Sequence, residues 1–297
     1  GKMQNQAWKV VRRPRDKKVH KTRWVFAIKL NEDNSINTVK ARFVACGYSQ
    51  QEGKDYESVF AATLPGVSFR AMASVIAYEN LCTDHIDGVK AFTQADSDVD
   101  LYVEMAEGFS TDEKGIDLRP LFCLLLLKAL EGIKQGAFLW AKLNRAAWLK
   151  LGCKSWLNET NLYFHSATGI RVGVFADDTI VGFKEAMRDT YLRMKKEYAA
   201  IINITNGTVI TPCVRFTGVE IHRNREKRTL TIRQTRYIEQ LEAQYIGQIK
   251  HQDCPYGTSK EQRTEFASLV DIKKSESISK VKFLQIMGKL VWPSSMT

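Results

Sequence analysis

Residues 171–183 read RVGVFADDTIVGF, two β-branched and aromatic runs separated by a pair of aspartates. Runs of this composition predict β-strands, so Asp177 and Asp178 are expected at the tip of a β-hairpin. Two adjacent carboxylates repel each other there and replace the Asn-Gly pair that tight hairpin turns favour. A divalent cation would relieve that repulsion, and Mg²⁺ binds one or two carboxylates together with phosphate oxygens. A solvated turn without a ligand is the alternative interpretation.

A third carboxylate strengthens the metal hypothesis. Asp87 ends a short strand-like segment that lies 90 residues before Asp177. Two-metal phosphoryl transfer needs carboxylates that hold two ions about 4 Å apart, between the attacking and the leaving oxygens. The three aspartates therefore predict such chemistry if the fold brings them together.

The positive charge of the chain is unevenly distributed. The 297 residues include 44 Lys and Arg against 33 Asp and Glu, a formal net charge of +11. Residues 2–29 hold ten basic side chains opposed only by Asp16, and a second basic stretch covers residues 223–236. Basic clusters beside aromatic residues are typical of proteins that bind polyanions such as nucleic acids. A solvated surface or a localisation signal would give the same pattern.

Composition excludes several other classes of protein. A hydrophobic content of 44% is that of a globular chain rather than a disordered one. No apolar run approaches the roughly 20 residues of a membrane span, so no membrane partner is expected. The six cysteines are scattered without a Cys-x-x-Cys pair, which favours reduced thiols in an intracellular protein over a zinc site or a disulfide framework. The first residues form no signal peptide and do not begin with Met, so we expect a fragment of a longer protein.

The remaining patterns mix helices with strands joined by hairpins, which predicts the α+β class rather than regular βαβ units. Strands are predicted at residues 24–30, 39–48, 162–164, 170–175, 179–183, 214–222 and 228–233, and helices at 68–77, 136–151, 185–202, 234–245 and 281–291. Residues 121–130 are apolar, and their periodicity does not decide between helix and strand.

Residues 175–178, FADD, resemble the apolar-x-Asp-Asp box of reverse transcriptases. The resemblance extends in order along nearly the whole chain to the polymerase of copia-type LTR retrotransposons. The further matching segments are 24–29, 40–56, 60–61, 86–92, 102–109, 127–140, 216–221 and 237–239. An ordered series of this kind is far more specific than the Asp-Asp box alone.

This resemblance implies a right-hand polymerase with fingers, an antiparallel palm sheet backed by helices, and a partial thumb. Fingers and palm would occupy residues 1–222, with fingers at about 1–84 and 93–140 and palm at about 85–92 and 141–222. Residues 223–297 would form the primer-grip and thumb region and the start of the connection.

The family's functional residues map onto this sequence one by one. Asp87, Asp177 and Asp178 match its catalytic triad, which holds two Mg²⁺ ions, or Mn²⁺ in their place. The residues implied to bind substrate are Lys40 and Arg42 for the incoming triphosphate, Phe92 as the ring that excludes a ribose 2′-hydroxyl, Gln135 near the nucleotide and template, and Gly218 at the primer grip.

The resemblance also implies partners and a location. These are an RNA or DNA template with its primer, deoxynucleoside triphosphates, and the ribonuclease H and integrase regions of the same polyprotein. The location would be intracellular, in a cytoplasmic particle, the nucleus or both. Ala176 stands where Val is commoner, and Glu131 where an aromatic residue is usual. Such departures keep open a catalytically inactive remnant that only binds nucleic acid, and clustered carboxylates would also suit a two-metal nuclease.

Overall fold

The structure of the protein, a computed structural model, describes residues 6–30, 35–207 and 209–245. The chain divides into two compact units at Cys213 and Val214. The helix predicted at residues 281–291 lies outside the described residues. Among those described, no helix has the length and apolar character needed to cross a membrane, and the five cysteines form no disulfide.

Strands and helices alternate irregularly along the chain, which confirms the predicted α+β class. The strands are β1 Trp8–Arg12, β2 Val19–His20, β3 Thr22–Leu30, β4 Ile36–Ala45, β5 Cys82–Asp87, β6 Tyr102–Val103, β7 Phe122–Leu126, β8 Lys154–Trp156, β9 Glu159–His165, β10 Ile170–Phe175, β11 Asp178–Phe183, β12 Arg215–Phe216, β13 Val219–Asn224 and β14 Thr229–Arg233. The helices are α1 Gly66–Tyr78, α2 Gly136–Lys150, α3 Arg188–Ile201 and α4 Thr235–Tyr245.

The largest sheet of the first unit has five antiparallel strands in the order β5-β11-β10-β9-β8. Side chains on one of its faces form a core with α2 and α3, in which Trp148 stacks on Tyr198 at 4.2 Å between ring centroids. On the opposite face, α1 places Met72 and Ile76 close to the glycines of β10 and β11. The sheet therefore has a packed layer of helix on each side.

Asp84 on β5 is fully buried within this unit and is well supplied with hydrogen-bond donors. Its carboxylate accepts hydrogen bonds from Lys195 Nζ at 2.7 Å, from the Tyr191 hydroxyl and from the Thr211 backbone N–H at 2.7 Å. A buried carboxylate costs much free energy unless it is paired and hydrogen-bonded in this way. The network ties α3 and the segment around Thr211 to β5.

A second sheet in the first unit has the order β1-β7-β6-β2, and β3 with β4 forms a separate two-stranded ribbon. Residues 121–130, left undecided by periodicity, contain the strand β7, which pairs with β1 and β6. The ribbon and this sheet share a second core, to which β4 contributes Phe43 and β7 contributes Leu124 and Leu126. Phe92 packs against both cores and so lies where they meet.

One face of the β3–β4 ribbon is apolar, buried near Phe43 and exposed farther along the ribbon. Phe26, Ile28 and Val39 alternate along the two strands on the same side and are 69%, 60% and 63% exposed. Lys40 and Arg42 lie on the other side of the ribbon. The ribbon is therefore amphipathic, with a basic face and an apolar face.

The second unit contains the antiparallel sheet β12-β13-β14 and α4. Thr217 and Gly218, between β12 and β13, both have positive φ, as a type I′ hairpin turn requires. Residue 222, the predicted end of the fingers and palm, lies inside β13, and β13 forms a second hairpin with β14. The compact units instead separate before β12, and the functional names of the regions stay predictions.

Gly132 fixes where the β3–β4 ribbon meets the rest of the first unit. The Ala45 N–H donates to the Glu131 carbonyl at 2.8 Å, and the Gly47 N–H donates to the Gly132 carbonyl at 3.1 Å. Gly132 has φ +93°, and a Cβ there would lie 2.1 Å from the Ala45 carbonyl oxygen. No side chain fits at this crossing.

We expect Gly132→Ala to lower the free energy of unfolding by about 3 kcal/mol or more, because backbone strain and a clash with main chain add together. Gly115→Ala is the matched control, since Gly115 has φ +77° and a Cβ added there would meet nothing within 4 Å. That variant carries only the strain of about 1–2 kcal/mol. Urea unfolding of both variants measures the difference, and equal losses would contradict the proposed clash.

Candidate active site

The pairing of β5 with β11 brings Asp87 and Asp178 directly opposite each other on one face of the sheet. Directly opposed residues of an antiparallel pair have Cβ atoms about 4.5–5.5 Å apart. In the β10–β11 hairpin, Phe175 pairs with Asp178, which leaves Ala176 and Asp177 as a two-residue turn. Asp87 therefore meets the adjacent pair Asp177 and Asp178, which begins 90 residues later in the sequence, at one end of the sheet.

The turn that carries Asp177 is strained and held from two sides. Ala176 has φ +53°, at the first central position of the turn, where type II′ geometry favours glycine. Its carbonyl accepts a hydrogen bond from Trp140 Nε1 at 2.8 Å, and the Asp177 carbonyl accepts one from the Gly88 N–H at 3.1 Å. Helix α2 and the chain after Asp87 thus hold a conformation that costs an L-residue roughly 1–2 kcal/mol.

The three carboxylates influence one another electrostatically. Partial burial raises the pKa of Asp87, and the negative charges of Asp177 and Asp178 raise it further, while His85 and Lys40 act in the opposite direction. His85 Nε2 lies 3.0 Å from Asp178 Oδ1. This hydrogen bond raises the pKa of the His85 imidazole against the effect of burial. Ionised Asp87 is therefore destabilised by burial and by the charges of Asp177 and Asp178.

Within the described ranges, no group of three or more His, Cys, Asp or Glu side chains is arranged to hold a metal ion as it stands. One oxygen of the Asp178 carboxylate, Oδ1, lies at hydrogen-bonding distance from His85 Nε2. The chemistry of the set still fits Mg²⁺, because hard oxygen donors with mutual repulsion are what a divalent cation neutralises. Rotation of side chains would be needed to form the site.

A cavity of about 1120 Å³ opens beside these carboxylates and contains both charged and aromatic walls. Asp87 and Asp177 line one side of it, and the β4 residues Lys40 and Arg42 line another. Trp24 and Phe109, with ring centroids 6.1 Å apart, belong to the apolar wall. The volume is slightly above the roughly 300–1,000 Å³ that is typical of small-molecule pockets.

Most of the predicted substrate-binding residues reach this cavity. Lys40 and Arg42 are two residues apart on β4 and therefore share a face. Phe92 lies in the short 3-10 turn Ala91–Gln94, half-buried at the cavity wall. The structure thus brings two basic groups and one aromatic ring to the same space as Asp87 and Asp177.

Gln135 is not brought to the cavity. It is fully buried, its Oε1 accepts a hydrogen bond from Gln50 Nε2 at 2.9 Å, and its Nε2 donates to the Asp55 carbonyl at 2.9 Å. In this position its amide holds the loop 50–55 in place, so contact with a nucleotide stays a prediction. Gly218 belongs to the second unit, and its role at the primer terminus also stays a prediction.

Sequence reasoning missed two contacts of the site. His85 is two residues before Asp87 on a strand, so the two-residue alternation could have placed its side chain on the same face. The indole of Trp140 contacts the Asp177 turn from a distant helix, and no local pattern in the sequence signals that hydrogen bond. Only the packing of α2 on the sheet shows it.

Comparison with known proteins shows the family to which the chain belongs. A family profile described as "Reverse transcriptase (RNA-dependent DNA polymerase)" matches residues 5–250, so the chain belongs to this family.

Similar proteins show which branch of the reverse transcriptase family the chain resembles. The chain is 26% identical over 240 residues to the retrovirus-related Pol polyprotein from transposon TNT 1-94 of Nicotiana tabacum, covering 80% of this chain and 17% of that protein. It is 30% identical over 161 residues to the Pol polyprotein from transposon RE1 of Arabidopsis thaliana, covering 54% of this chain and 11% of that one. The predicted resemblance to copia-type reverse transcriptases is confirmed, and the chain spans less than a fifth of these relatives.

A solved structure of the foamy viral protease-reverse transcriptase in complex with double-stranded DNA aligns with 98% of this chain and 41% of that chain. The TM-score is 0.42 and the sequence identity 8%. A likeness at this level supports no inference about this chain.

We expect Asp87→Asn to raise the free energy of unfolding at pH 7 by about 0.5–1 kcal/mol, the usual size of gain from relieving a destabilised functional site. The raised pKa of Asp87 means that the folded state binds its proton more tightly than the unfolded state. The contribution of Asp87 to the free energy of unfolding is therefore greatest below its ordinary pKa near 4. That contribution is lost as the pH rises through the raised pKa of the folded state.

Urea unfolding at pH 3.5 and pH 7 tests this expectation, because the advantage of the Asn variant should vanish at the lower pH. Asp100→Asn is the control at an exposed carboxylate and should change stability by less than about 0.5 kcal/mol. A less stable Asp87→Asn protein at pH 7 would contradict the repulsion among the three carboxylates.

Proposed function

We propose that this chain is an RNA-directed DNA polymerase that adds deoxynucleotides to a primer by two-metal phosphoryl transfer. The observation that carries the proposal is the pairing of Asp87 with Asp178, next to a cavity that Asp87, Asp177, Lys40 and Arg42 line. Membership of the reverse transcriptase family supports the same reaction class. Because the chain covers a small part of its relatives, activity of this chain alone is part of the proposal.

Asp87, Asp177 and Asp178 would hold the metal ions, two Mg²⁺ or Mn²⁺ in their place. Bound there, the ions would supply the positive charge that activates a primer 3′-hydroxyl and neutralises the leaving pyrophosphate. The chain itself contributes carboxylates that the β5–β11 pairing holds near one another before any ligand arrives. Trp140 and Gly88 keep the Asp177 turn in a fixed conformation, which limits the reorganisation that binding requires.

The basic face of β4 would bind the triphosphate of the incoming nucleotide. The guanidinium of Arg42 suits a bidentate contact with phosphate oxygens, and Lys40 adds a compact positive charge nearer Asp87. The Coulombic effect of Lys40 on Asp87 supports this order along the cavity. The ring of Phe92, at the same wall, would meet the sugar and exclude a 2′-hydroxyl.

The predicted hand-like architecture enters here as part of the proposal. The five-stranded sheet with α2 and α3 would be the palm, the β3–β4 ribbon with the β1-β7-β6-β2 sheet the fingers, and the second unit the primer grip and thumb. Template, primer and deoxynucleotides would be the partners, in a Pol polyprotein with ribonuclease H and integrase regions. An intracellular location, in a cytoplasmic particle or the nucleus, follows from that context.

The second candidate is an inactive remnant that binds nucleic acid. Two observations favour it: within the described ranges no group of acidic, His or Cys side chains is already arranged to hold a metal ion, and one oxygen of Asp178 is engaged by His85. The register of β5 and β11 favours the polymerase, because a degenerate site would tolerate separation of Asp87 from the hairpin. Salt-sensitive binding of nucleic acid without nucleotide incorporation would identify the remnant.

Primer extension on an RNA template with Mg²⁺ and deoxynucleotides tests the polymerase. We expect Asp177→Asn to extend the primer at least about 100-fold more slowly than the wild-type chain. The substitution removes a carboxylate that would hold the metal ions, and these ions would stabilise the charge of the transition state. Asp100→Asn removes an exposed carboxylate away from the cavity and should extend at the wild-type rate. Equal extension by Asp177→Asn and wild type would remove Asp177 from the catalytic set.

Sugar selection can be measured separately. We expect Phe92→Ala to raise the ratio of ribonucleotide to deoxynucleotide incorporation about tenfold or more, because the ring that meets the 2′-hydroxyl is gone. Phe138→Ala is the matched control, since Phe138 packs in the same core without lining the cavity. A similar ratio in both variants would assign Phe92 a packing role alone.

A further inference from the structure

The outer edge of β5 is covered by a short segment, residues 203–205, called here the strap. β5 is the end strand of its sheet, with β11 on its inner side. On the outer side the Thr205 N–H donates to the Asp87 carbonyl at 3.0 Å, and the Val89 N–H donates to the Asn203 carbonyl at 2.9 Å. The main chain at Asp87 and just after it is therefore held from both sides of the strand.

Gln94 joins the strap to the turn that carries Phe92. Its Nε2 donates to the Val89 carbonyl at 2.7 Å and to the Asn203 carbonyl at 2.9 Å, and its Oε1 accepts from the Asn203 N–H at 2.6 Å. Both amide hydrogens and the amide oxygen are thus used on main-chain groups. Glutamate, which has the same length, has no amide hydrogens to donate, and methionine, which has a similar length, makes none of these bonds.

The connection between Asp87 and Phe92 contains a strained residue. Lys90, between them, has φ +54°, a conformation that costs an L-residue roughly 1–2 kcal/mol. Phe92 follows two residues later, at the wall of the cavity, with Gln94 as the last residue of the same 3-10 turn. Gln94 adds a restraint, called here the clamp, on this strained linker, since its side chain bonds both to Val89 within the segment and to Asn203 outside it.

We propose that Gln94 is a positioning residue for nucleotide selection, which holds the ring of Phe92 at a fixed place relative to the Asp87 carboxylate through the strap. This inference rests on the proposed polymerase function. Loss of the clamp leaves the three carboxylates and the basic face of β4 in place but frees the turn that carries the ring. The result is a weaker barrier to the 2′-hydroxyl rather than a loss of chemistry.

Steady-state incorporation by Gln94→Met and Gln94→Glu tests the proposal, with Phe92→Ala as the reference for full loss of the ring. We expect the ratio of ribonucleotide to deoxynucleotide incorporation to rise at least fivefold in both Gln94 variants. The KM for deoxynucleotides should rise at least threefold with kcat within twofold of wild type. The control is Gln51→Ala, an exposed glutamine outside the cavity, which should leave all three values unchanged.

A ratio within twofold of wild type in an active Gln94→Met protein would overturn the positioning role, whatever happened to stability. Hydrogen exchange provides a readout that needs no activity. In Gln94→Met the backbone amides of Val89 and Thr205 should exchange at least tenfold faster, while that of Val172 in β10 stays as in wild type. Unchanged exchange at Val89 and Thr205 would overturn the clamp itself.

The two readouts separate this inference from the proposed function. A wild-type chain that extends no primer would reject the proposed function, and the exchange rates would still decide whether Gln94 restrains the strap. An active wild-type chain with faster exchange and altered sugar selection in the Gln94 variants would support both.

Discussion

The pairing register of β5 and β11 is the constraint on which the candidate site depends. Cys82, Asp84 and Ile86 are buried on one face of β5, so His85 and Asp87 must project from the other. A shift of one residue would turn Asp87 into the core and expose Ile86. The free energy of packing against α2 and α3 therefore holds the carboxylates together on the opposite face of the sheet, although their mutual repulsion disfavours it.

Two carboxylates on the same strand show the difference between a structural and a functional acid. Asp84 is fully buried, and it receives a lysine, a tyrosine hydroxyl and a backbone N–H, so its charge is balanced within the fold. The pKa of Asp87 is instead raised, by partial burial and by the charges of Asp177 and Asp178. An acid that the fold places beside other acids in this way is a candidate for binding a cation.

Many of the strands and helices, but not the contacts between distant segments, could be predicted from the sequence. The β10–β11 hairpin with its Asp-Asp pair, the β3–β4 ribbon and α1 follow from local patterns, since alternation and helical spacing are local properties. The meeting of Asp87 with Asp178 depends on strand pairing across about 90 residues, which no local pattern gives, and there the family resemblance supplied the expectation. Gln135 could not be placed from its motif, because its burial depends on Gln50 and Asp55 of a distant loop. The roles of Trp140 and Gln94 depend in the same way on contacts between distant segments.

The exposed part of the apolar face of the β3–β4 ribbon has a consequence for handling the molecule. A two-stranded ribbon leaves both of its edges open to further strands, and here its side chains Phe26, Ile28 and Val39 also face solvent. Open edges beside apolar side chains promote self-association of chains in solution. Purified material should therefore form aggregates as its concentration rises, and charged substitutions at Phe26 or Ile28, which do not line the cavity, should reduce this self-association.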